Sequence, residues 1–589
     1  MLLRQPGCAD TADQVGECDG LLPHCRRKLA QELQIQNHTS TINLLVSLVP
    51  KFASQGAANA CPLRDRVTSA SCVNGAVIYI AILPRASAHG MVQVKRPLAF
   101  IARHGLWPDE QRRQAEDLKR RVKQEDLRLV RLVWADPHGA ARAKAVTVPV
   151  FLSALETGYN INVATTTLDS ANARTFASFT RGGGMGLDEM TGSPNLTIVP
   201  DPSTFRVLPW APGVGWVLCD EYFNSGVPFH FSPRHLLRRQ LERLANKGMS
   251  LLVGLEIEWY LLRVAQDGLD DDNIGFPGVR GQPIKTAPAE PGFSYHSESN
   301  MDLMQPVLSA LADHFAKIGL PLRSIENEWG PGQLECTFAA RPALEAADHA
   351  VLFRTAARQI CRRMGYFATF MCRPALKGYY SSGWHLHQSL LDGRSGRNLF
   401  MPERGPDYLS PLGRAFLGGL IRHAAPATPF ATPTINGYRR FRPNSLAPDR
   451  AAWCYDHRGV MIRVLGAPGD QATRLENRTG EPAANPYLFI LSQIVAGLDG
   501  IEQGHDPGPP QDDPYNAKLP MLPTNLPAAL DALEREPLFR AQLGDVFIDY
   551  FLKLKRNEAG RFAQWLKESG ARGDDEPTAW EQNEYFDFF

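Results

Sequence analysis

The chain lacks a surplus of either charge: 63 lysines and arginines stand against 62 aspartates and glutamates, a formal net charge of +1. Without a long basic run it has no electrostatic footprint for nucleic acid or an anionic membrane, and small-molecule partners are expected instead. Long hydrophobic runs are missing too. The longest apolar stretch, around Val73 to Leu83, is too short to span a bilayer and is broken by Asn74 and Gly75. Of the ten cysteines, Cys8, Cys18, Cys25, Cys61 and Cys72 fall in the first 72 residues, none at C-x-x-C spacing, and no signal peptide with a basic start and apolar core precedes them. Neither a zinc site nor a secreted disulfide scaffold is supported, and a cytoplasmic protein is expected. Internal repeats and low-complexity tracts are absent. A P-loop is absent as well: Gly182-Gly-Gly-Met-Gly186 lacks the Gly-Lys-Ser/Thr ending and reads as a mobile loop.

What is present is the balance of a large globular protein, 589 residues with 44% hydrophobic and 21% charged, long enough for several domains. Residues 1–90 read as an appendage, either a poorly ordered extension or sequence upstream of a start at Met91. Beyond Ala99, an exposed helix is expected from Pro108 to about Asp126. A hairpin follows, with strands at Leu127–Trp134 and Arg142–Val150 joined by the turn Asp136-Pro-His-Gly139. Ser232 to Gly248 carries a capping serine, proline at the first helical position, leucines at 236, 237, 241 and 244, and a terminal glycine, the pattern of an amphipathic helix. Similar helices are expected at Met301–Gly319 and Pro342–Gly365. The fold class is α+β: a small β-rich domain at 121–225, then a large α+β domain at 228–589.

The chemistry begins in Gly254-Leu-Glu-Ile-Glu-Trp-Tyr-Leu-Leu262. In a strand, Glu256 and Glu258 share one face while Leu255, Ile257 and Trp259 take the other. Two carboxylates side by side in a half-buried strand repel, and either a metal or an arginine cluster must neutralise them. Glu328 and Glu335 flank a Gly-Pro-Gly turn that can bring them together, although acidic turns are often simply solvated loops. Gly383-Trp-His-Leu-His-Gln-Ser-Leu390 places His385 and His387 on one strand face, suited to a metal or to phosphate. Arg474, Glu476 and Arg478 share another face, which taken alone reads as a surface ion-pair ladder. As a set, hard oxygen ligands with little imidazole suit Mg²⁺ or Mn²⁺ better than Zn²⁺, and the arginines suit phosphates and carboxylates. This composition fits phosphoryl transfer between two metals.

These motifs, with Asn436-Gly-Tyr-Arg-Arg440 and Pro482-Ala-Ala-Asn-Pro486, occur in the order of the glutamine synthetase family, which the chain resembles over roughly residues 125–505. The resemblance implies an N-terminal β-grasp domain, a glutamine synthetase-type catalytic domain, and a homo-oligomer of stacked rings with active sites shared between subunits. It assigns one metal to Glu258, Glu328 and Glu335 and a second to Glu256, His385 and Glu476. It places Arg458, Arg463 and Arg474 at the phosphates, His387 and Ser389 at the nucleotide, and Arg440 and Arg478 at the glutamate carboxylate and phosphoryl group. The implied reaction uses ATP to phosphorylate the γ-carboxylate of glutamate, after which an amine or ammonia displaces phosphate.

Three departures bear on the substrates. Leu446 stands where ammonia-using members carry a flap glutamate, and Arg181 where they carry an aspartate that helps hold ammonium. Tyr380 and Ser381 replace an asparagine and a glycine usual near the glutamate substrate, and Trp384 beside His385 either narrows the pocket or packs. Ammonium must be deprotonated before it attacks, so loss of both acids points to an organic amine forming a γ-glutamylamide. An ordinary glutamine synthetase and a non-catalytic relative that keeps only the fold are the competing expectations.

Overall fold

The computed structural model describes residues 98–589, apart from 406, 516–517 and 574–575, together with the backbone of an antiparallel hairpin, Ser69–Val73 with Ala76–Ile80. The side chains of the five early cysteines and most of the 1–90 segment lie outside the described residues.

Within residues 98–589, which fall in one compact unit, two sheets organise the chain. The smaller has six strands. Ala141–Thr147, Leu129–Ala135, Val214–Phe223, Asn195–Pro200 and Tyr159–Asn162 lie in that order, with Leu129–Ala135 and Val214–Phe223 parallel. The second hairpin strand ends at Thr147 rather than Val150, because Pro149 has no N–H for a ladder and instead starts the helix Val148–Thr157. That helix buries Phe151, Ala154 and Leu155 against the small sheet.

The larger sheet has ten strands. Its main path runs Leu322–Asn327, Gln333–Phe338, Met249–Val264, Trp384–Asp392, Arg474–Gly480, Ile462–Leu465 and Trp453–Tyr455. The long central strand, Met249–Val264, alternates as its sequence demands: Val253, Leu255, Ile257 and Trp259 are buried, and Glu256 and Glu258 face the other way. Helices at Pro233–Asn246, Glu298–Ile318, Ala343–Arg363 and Pro486–Gln503 supply its apolar packing. The expected cap of the first of these differs, since Ser232 begins the helix without a side-chain bond to it and its hydroxyl serves the buried Glu221 carboxyl.

Two polar junctions join the small sheet to the helices. Asn485 caps the helix Pro486–Gln503 through Tyr487 N and Leu488 N, and its amide also donates to Pro137 O at 3.1 Å. Gly139 in the same turn lies so close that a Cβ would stand 2.8 Å from Asn485 Cα. The second junction is Arg234, buried with three aspartates. It donates to Asp201 and Asp220 of the small-sheet region at 2.7 Å each, and through two nitrogens to Asp348 of the helix Ala343–Arg363 at 2.9 and 2.7 Å. Burial opposes charge on all four groups, yet Arg234 holds the Asp201 and Asp220 carboxyls below their usual range. Removing the cation would strand buried carboxylates. Arg234→Met is therefore expected to lower unfolding stability by about 3–5 kcal/mol, and a change under 1 kcal/mol in chemical denaturation would contradict this role.

Candidate active site

The central strand brings the predicted residues together because its two neighbours are antiparallel and in matching register. Glu335 pairs with Glu258 on one side, and His385 pairs with Glu256 on the other. His387 pairs with Gly254, where a Cβ would stand 3.3 Å from that of His387, so the glycine of Gly-x-Glu-x-Glu makes room for the imidazole. Glu476 lies one strand further on, opposite His387, and Glu328 begins the turn between Leu322–Asn327 and Gln333–Phe338.

Glu256, His385 and Glu476 can each offer one ligand atom to a common point, as can Glu258, Glu335 and His385. The first group is the second expected metal set. The other contains Glu258 and Glu335 of the first expected set, with His385 shared and Glu328 bearing on it through its charge. His385 Nδ1 bonds Glu256, and its Nε2 lies 3.8 Å from Glu258. His387 Nε2 is 2.9 Å from the other Glu256 oxygen, while its Nδ1 accepts from Arg474 Nε at 3.2 Å, which fixes the proton on Nε2.

The arginines divide their work. Arg478, buried, bonds Glu476 and donates to the carbonyls of Arg458 and Leu446 at 3.1 and 3.2 Å. Arg463 bridges Glu476 and Asp456. Glu476 is wholly buried and Arg478 nearly so, so this is no surface ladder. Arg440, also buried, donates to Arg478 O at 2.7 Å and approaches His385 Nε2 at 3.4 Å. It fits there because residue 383 is glycine: a Cβ would stand 2.5 Å from the guanidinium. Arg458 is exposed, and the buried Ser389 hydroxyl donates to Thr473 O at 2.9 Å.

Electrostatics separates the glutamates. Burial would raise Glu256, but His385 and His387 hold it well below the usual range, and Arg478 and His385 do the same for Glu476. Burial pushes Glu258 up to about 7 against the pull of Arg440. Burial and the neighbouring glutamates push Glu328 up to about 8 and Glu335 up to about 11. His385 is lowered to about 4 by burial and Arg478, so it is neutral at pH 7 with a lone pair to offer. Carboxylates that repel one another beside a neutral imidazole are the donor set a divalent cation satisfies.

Sequence patterns missed several participants. Gln333 donates to Glu258 Oε2 at 3.0 Å and to Ser382 Oγ at 2.9 Å, and it could have been found two residues before Glu335 on the same face. Four exposed aromatics, Phe293 and Tyr295 of one loop with Trp329 and Tyr380 of two others, are too scattered in sequence to show a common spacing. Tyr295 stacks on Trp329 at 5.3 Å, and Phe293 meets Tyr380 edge-on at 6.3 Å. Burial and the charges of Glu328 and Glu335 raise the Tyr295 phenol, and its stacking partner Trp329 follows Glu328 in the chain, so this pair lies beside the carboxylate cluster. Trp384 faces away, fully buried against Phe489, so it packs and does not narrow the cleft.

Residues 230–572, more than half of the chain, match the catalytic domain of glutamine synthetase. The chain belongs to the glutamine synthetase family. It is 45% identical to a γ-glutamylanilide synthase from Acinetobacter over 83% of this chain and 99% of the relative. It is 31% identical to the γ-glutamylethanolamide synthetase GlnA4 of Streptomyces coelicolor, over 76% and 92%. A solved structure of a GmaS/ADP complex superposes with a TM-score of 0.63 at 28% identity, covering 77% of this chain and 99% of that one. The glutamine synthetase family is one of ligases that work with ATP and divalent metals, and this member is a ligase. Among the described residues, no helix is long and apolar enough to cross a membrane.

The raised carboxyls make a prediction about metal affinity. At neutral pH the metal-free fold keeps protons on Glu328 and Glu335 that an unfolded chain, with carboxyls near 4.3, has released. Its stability therefore falls as pH rises from about 4.5 through 8 and beyond, and a bound cation relieves that loss. Mg²⁺ affinity by calorimetry should rise between pH 6 and 8, by up to about tenfold per pH unit for each proton displaced; a flat profile would show that these carboxyls are not its ligands.

Proposed function

We propose that this enzyme joins glutamate to an organic amine, with ATP, as a γ-glutamylamide, and that an aromatic amine fits best. The observation that carries this is the character of the entrance. Leu446, 54% exposed, occupies the flap position, and its carbonyl is tied to Arg478 of the site. The stacked Tyr295 and Trp329 lie beside the carboxylate cluster, and Arg181, 88% exposed, pairs with Asp188. Neither Leu446 nor Arg181 offers a carboxylate to hold ammonium at those two positions. An arylamine is neutral at pH 7, so it needs no base to become a nucleophile, and its ring gains from stacking on Tyr295 or Trp329. The 45% identical relative, named for an anilide, supports the same reading.

In this reading the γ-carboxylate of glutamate takes the terminal phosphoryl group of ATP, the amine attacks the acyl carbon, and phosphate leaves as the amide forms. Divalent ions at Glu258, Glu328 and Glu335 and at Glu256, His385 and Glu476 would supply charge neutralisation at the phosphate oxygens. Arg440 and Arg478, held rigid by burial, would present N–H groups to the carboxylate and the phosphoryl oxygens, with Arg458 closing from the mouth. Arg463, Arg474, His387 and Ser389 would serve the nucleotide side. The six-stranded sheet with its packed helix is read as the family's β-grasp domain, and the assembly as a cytoplasmic homo-oligomer of stacked rings.

Phosphate release with glutamate and a panel of aniline, alkylamines and ammonia tests the proposal. Aniline should give the highest kcat/KM, and Leu446→Glu should lower it about tenfold or more while raising turnover of ammonia. Ammonia outperforming every organic amine would overturn it in favour of an ordinary glutamine synthetase.

A further inference from the structure

A second group of metal-ligating side chains lies apart from the glutamate cleft, where helices meet. His423 joins the helices Pro411–Arg422 and Ala424–Ala431, Asp499 lies in Pro486–Gln503, His505 follows that helix, and Glu536 caps Pro537–Leu543. Glycines bring these elements together. A Cβ on Gly419 would stand 2.0 Å from Ala496 O, and one on Gly418 would stand 2.1 Å from His505 O, so the two long helices and the segment beyond them meet backbone to backbone.

His423 Nε2 and His505 Nε2 converge on the same oxygen, Asp499 Oδ2, at 2.7 and 3.0 Å, and the three ligand atoms lie within 4.8 Å of one another. The other nitrogen of His423, Nδ1, faces Glu536 Oε2 at 3.3 Å, and Glu536 Oε1 accepts from Leu538 N. Both nitrogens of His423 thus face carboxylate oxygens, while a neutral imidazole carries only one N–H. A cation at the Nε2 side resolves the mismatch: His423 keeps its proton on Nδ1, donates it to Glu536, and gives the Nε2 lone pair to the metal. A carboxylate orienting a metal-bound histidine in this way is a recurrent arrangement. Two carboxylates with two neutral imidazoles also leave a charge that a divalent ion balances. His423 is buried, while Asp499 and His505 are partly exposed, which leaves the point of convergence open to solvent.

We propose that His423, Asp499 and His505 bind a divalent transition metal, with Glu536 orienting His423, and that the ion staples the ends of these helices. Two imidazoles and one carboxylate suit Zn²⁺ or Co²⁺, whereas the oxygen-rich cleft suits Mg²⁺ or Mn²⁺, so the two places select different metals. The proposal does not depend on the amine or on the reaction in the cleft.

The test uses tag-free, full-length protein, stripped by chelator and then held in excess Mg²⁺ to fill the oxygen-rich cleft. Co²⁺ uptake is measured by equilibrium dialysis and by its visible absorption. The wild-type chain should bind one more equivalent of Co²⁺ than His505→Gln or Asp499→Asn, with the intense bands of a low-coordinate ion missing from the variants. Equal uptake in all three would overturn the proposal and leave His423 as a protonated link between two carboxylates. No uptake by the wild-type protein overturns it without reference to either variant.

Discussion

Like charges that cannot share a dry cleft unaided are the constraint on which this structure turns. The central strand carries Glu256 and Glu258 on one face, and both neighbouring strands add acceptors in register. The protein answers unevenly. Glu256 is met by two imidazoles and Glu476 by two guanidinium groups, so both stay ionised. On the opposite side the charges that weigh most on Glu335 are those of other glutamates, which leaves it protonated at neutral pH unless a cation arrives. An isolated carboxylate in such a place would cost several kcal/mol. The cluster therefore holds more carboxylate than its own cations neutralise, and a burial pattern chosen only for stability would not have produced it.

Holding that arrangement falls in part to groups outside the clustered carboxylates and imidazoles. His387 and Arg440 lie over Gly254 and Gly383: a Cβ at 383 would displace the guanidinium, and one at 254 would crowd the His387 Cβ at 3.3 Å. Further out, Arg234 binds three buried aspartates from both sheet regions, and Asn485 caps a core helix while gripping the Asp136-Pro137 turn. Buried ion clusters of this kind add little net stability over apolar packing, but they fix geometry, because every partner left unpaired is heavily penalised.

Much of this could be read from the chain alone, and what could not has physical reasons. The two-residue period put Glu256 with Glu258 and His385 with His387, and the order of the motifs carried the family. Burial was not readable for Arg474-Leu-Glu-Asn-Arg478, since alternating charges look the same on a surface strand as in a cleft lined by strands from elsewhere. The helix at Val148 was hidden by β-branched residues whose propensity yields to Pro149. The exposed aromatics and the His423, Asp499 and His505 cluster draw on loops and helices distant in sequence, so only the assembled fold brings their members together.

One guanidinium connects the charged and apolar halves of the cleft. Arg478 bonds Glu476 among the clustered carboxylates and donates to the carbonyls of Arg458 and Leu446. Leu446 adopts a left-handed backbone conformation, with φ of 58°, at a local cost of about 1–2 kcal/mol for a residue other than glycine. A conformation of that cost persists where neighbouring contacts enforce it, and the Arg478 bond is one such contact. The Leu446 segment is thus tied to the same side chain that keeps Glu476 ionised, and the side chain it presents is an isobutyl group. An isobutyl group offers a small cation no acceptor in place of its hydration, whereas a neutral amine with an apolar body loses little there and gains contact. In the proposed reaction, selection of the nucleophile would then be a matter of solvation at this surface, with the glutamates and arginines beneath it serving the phosphoryl transfer.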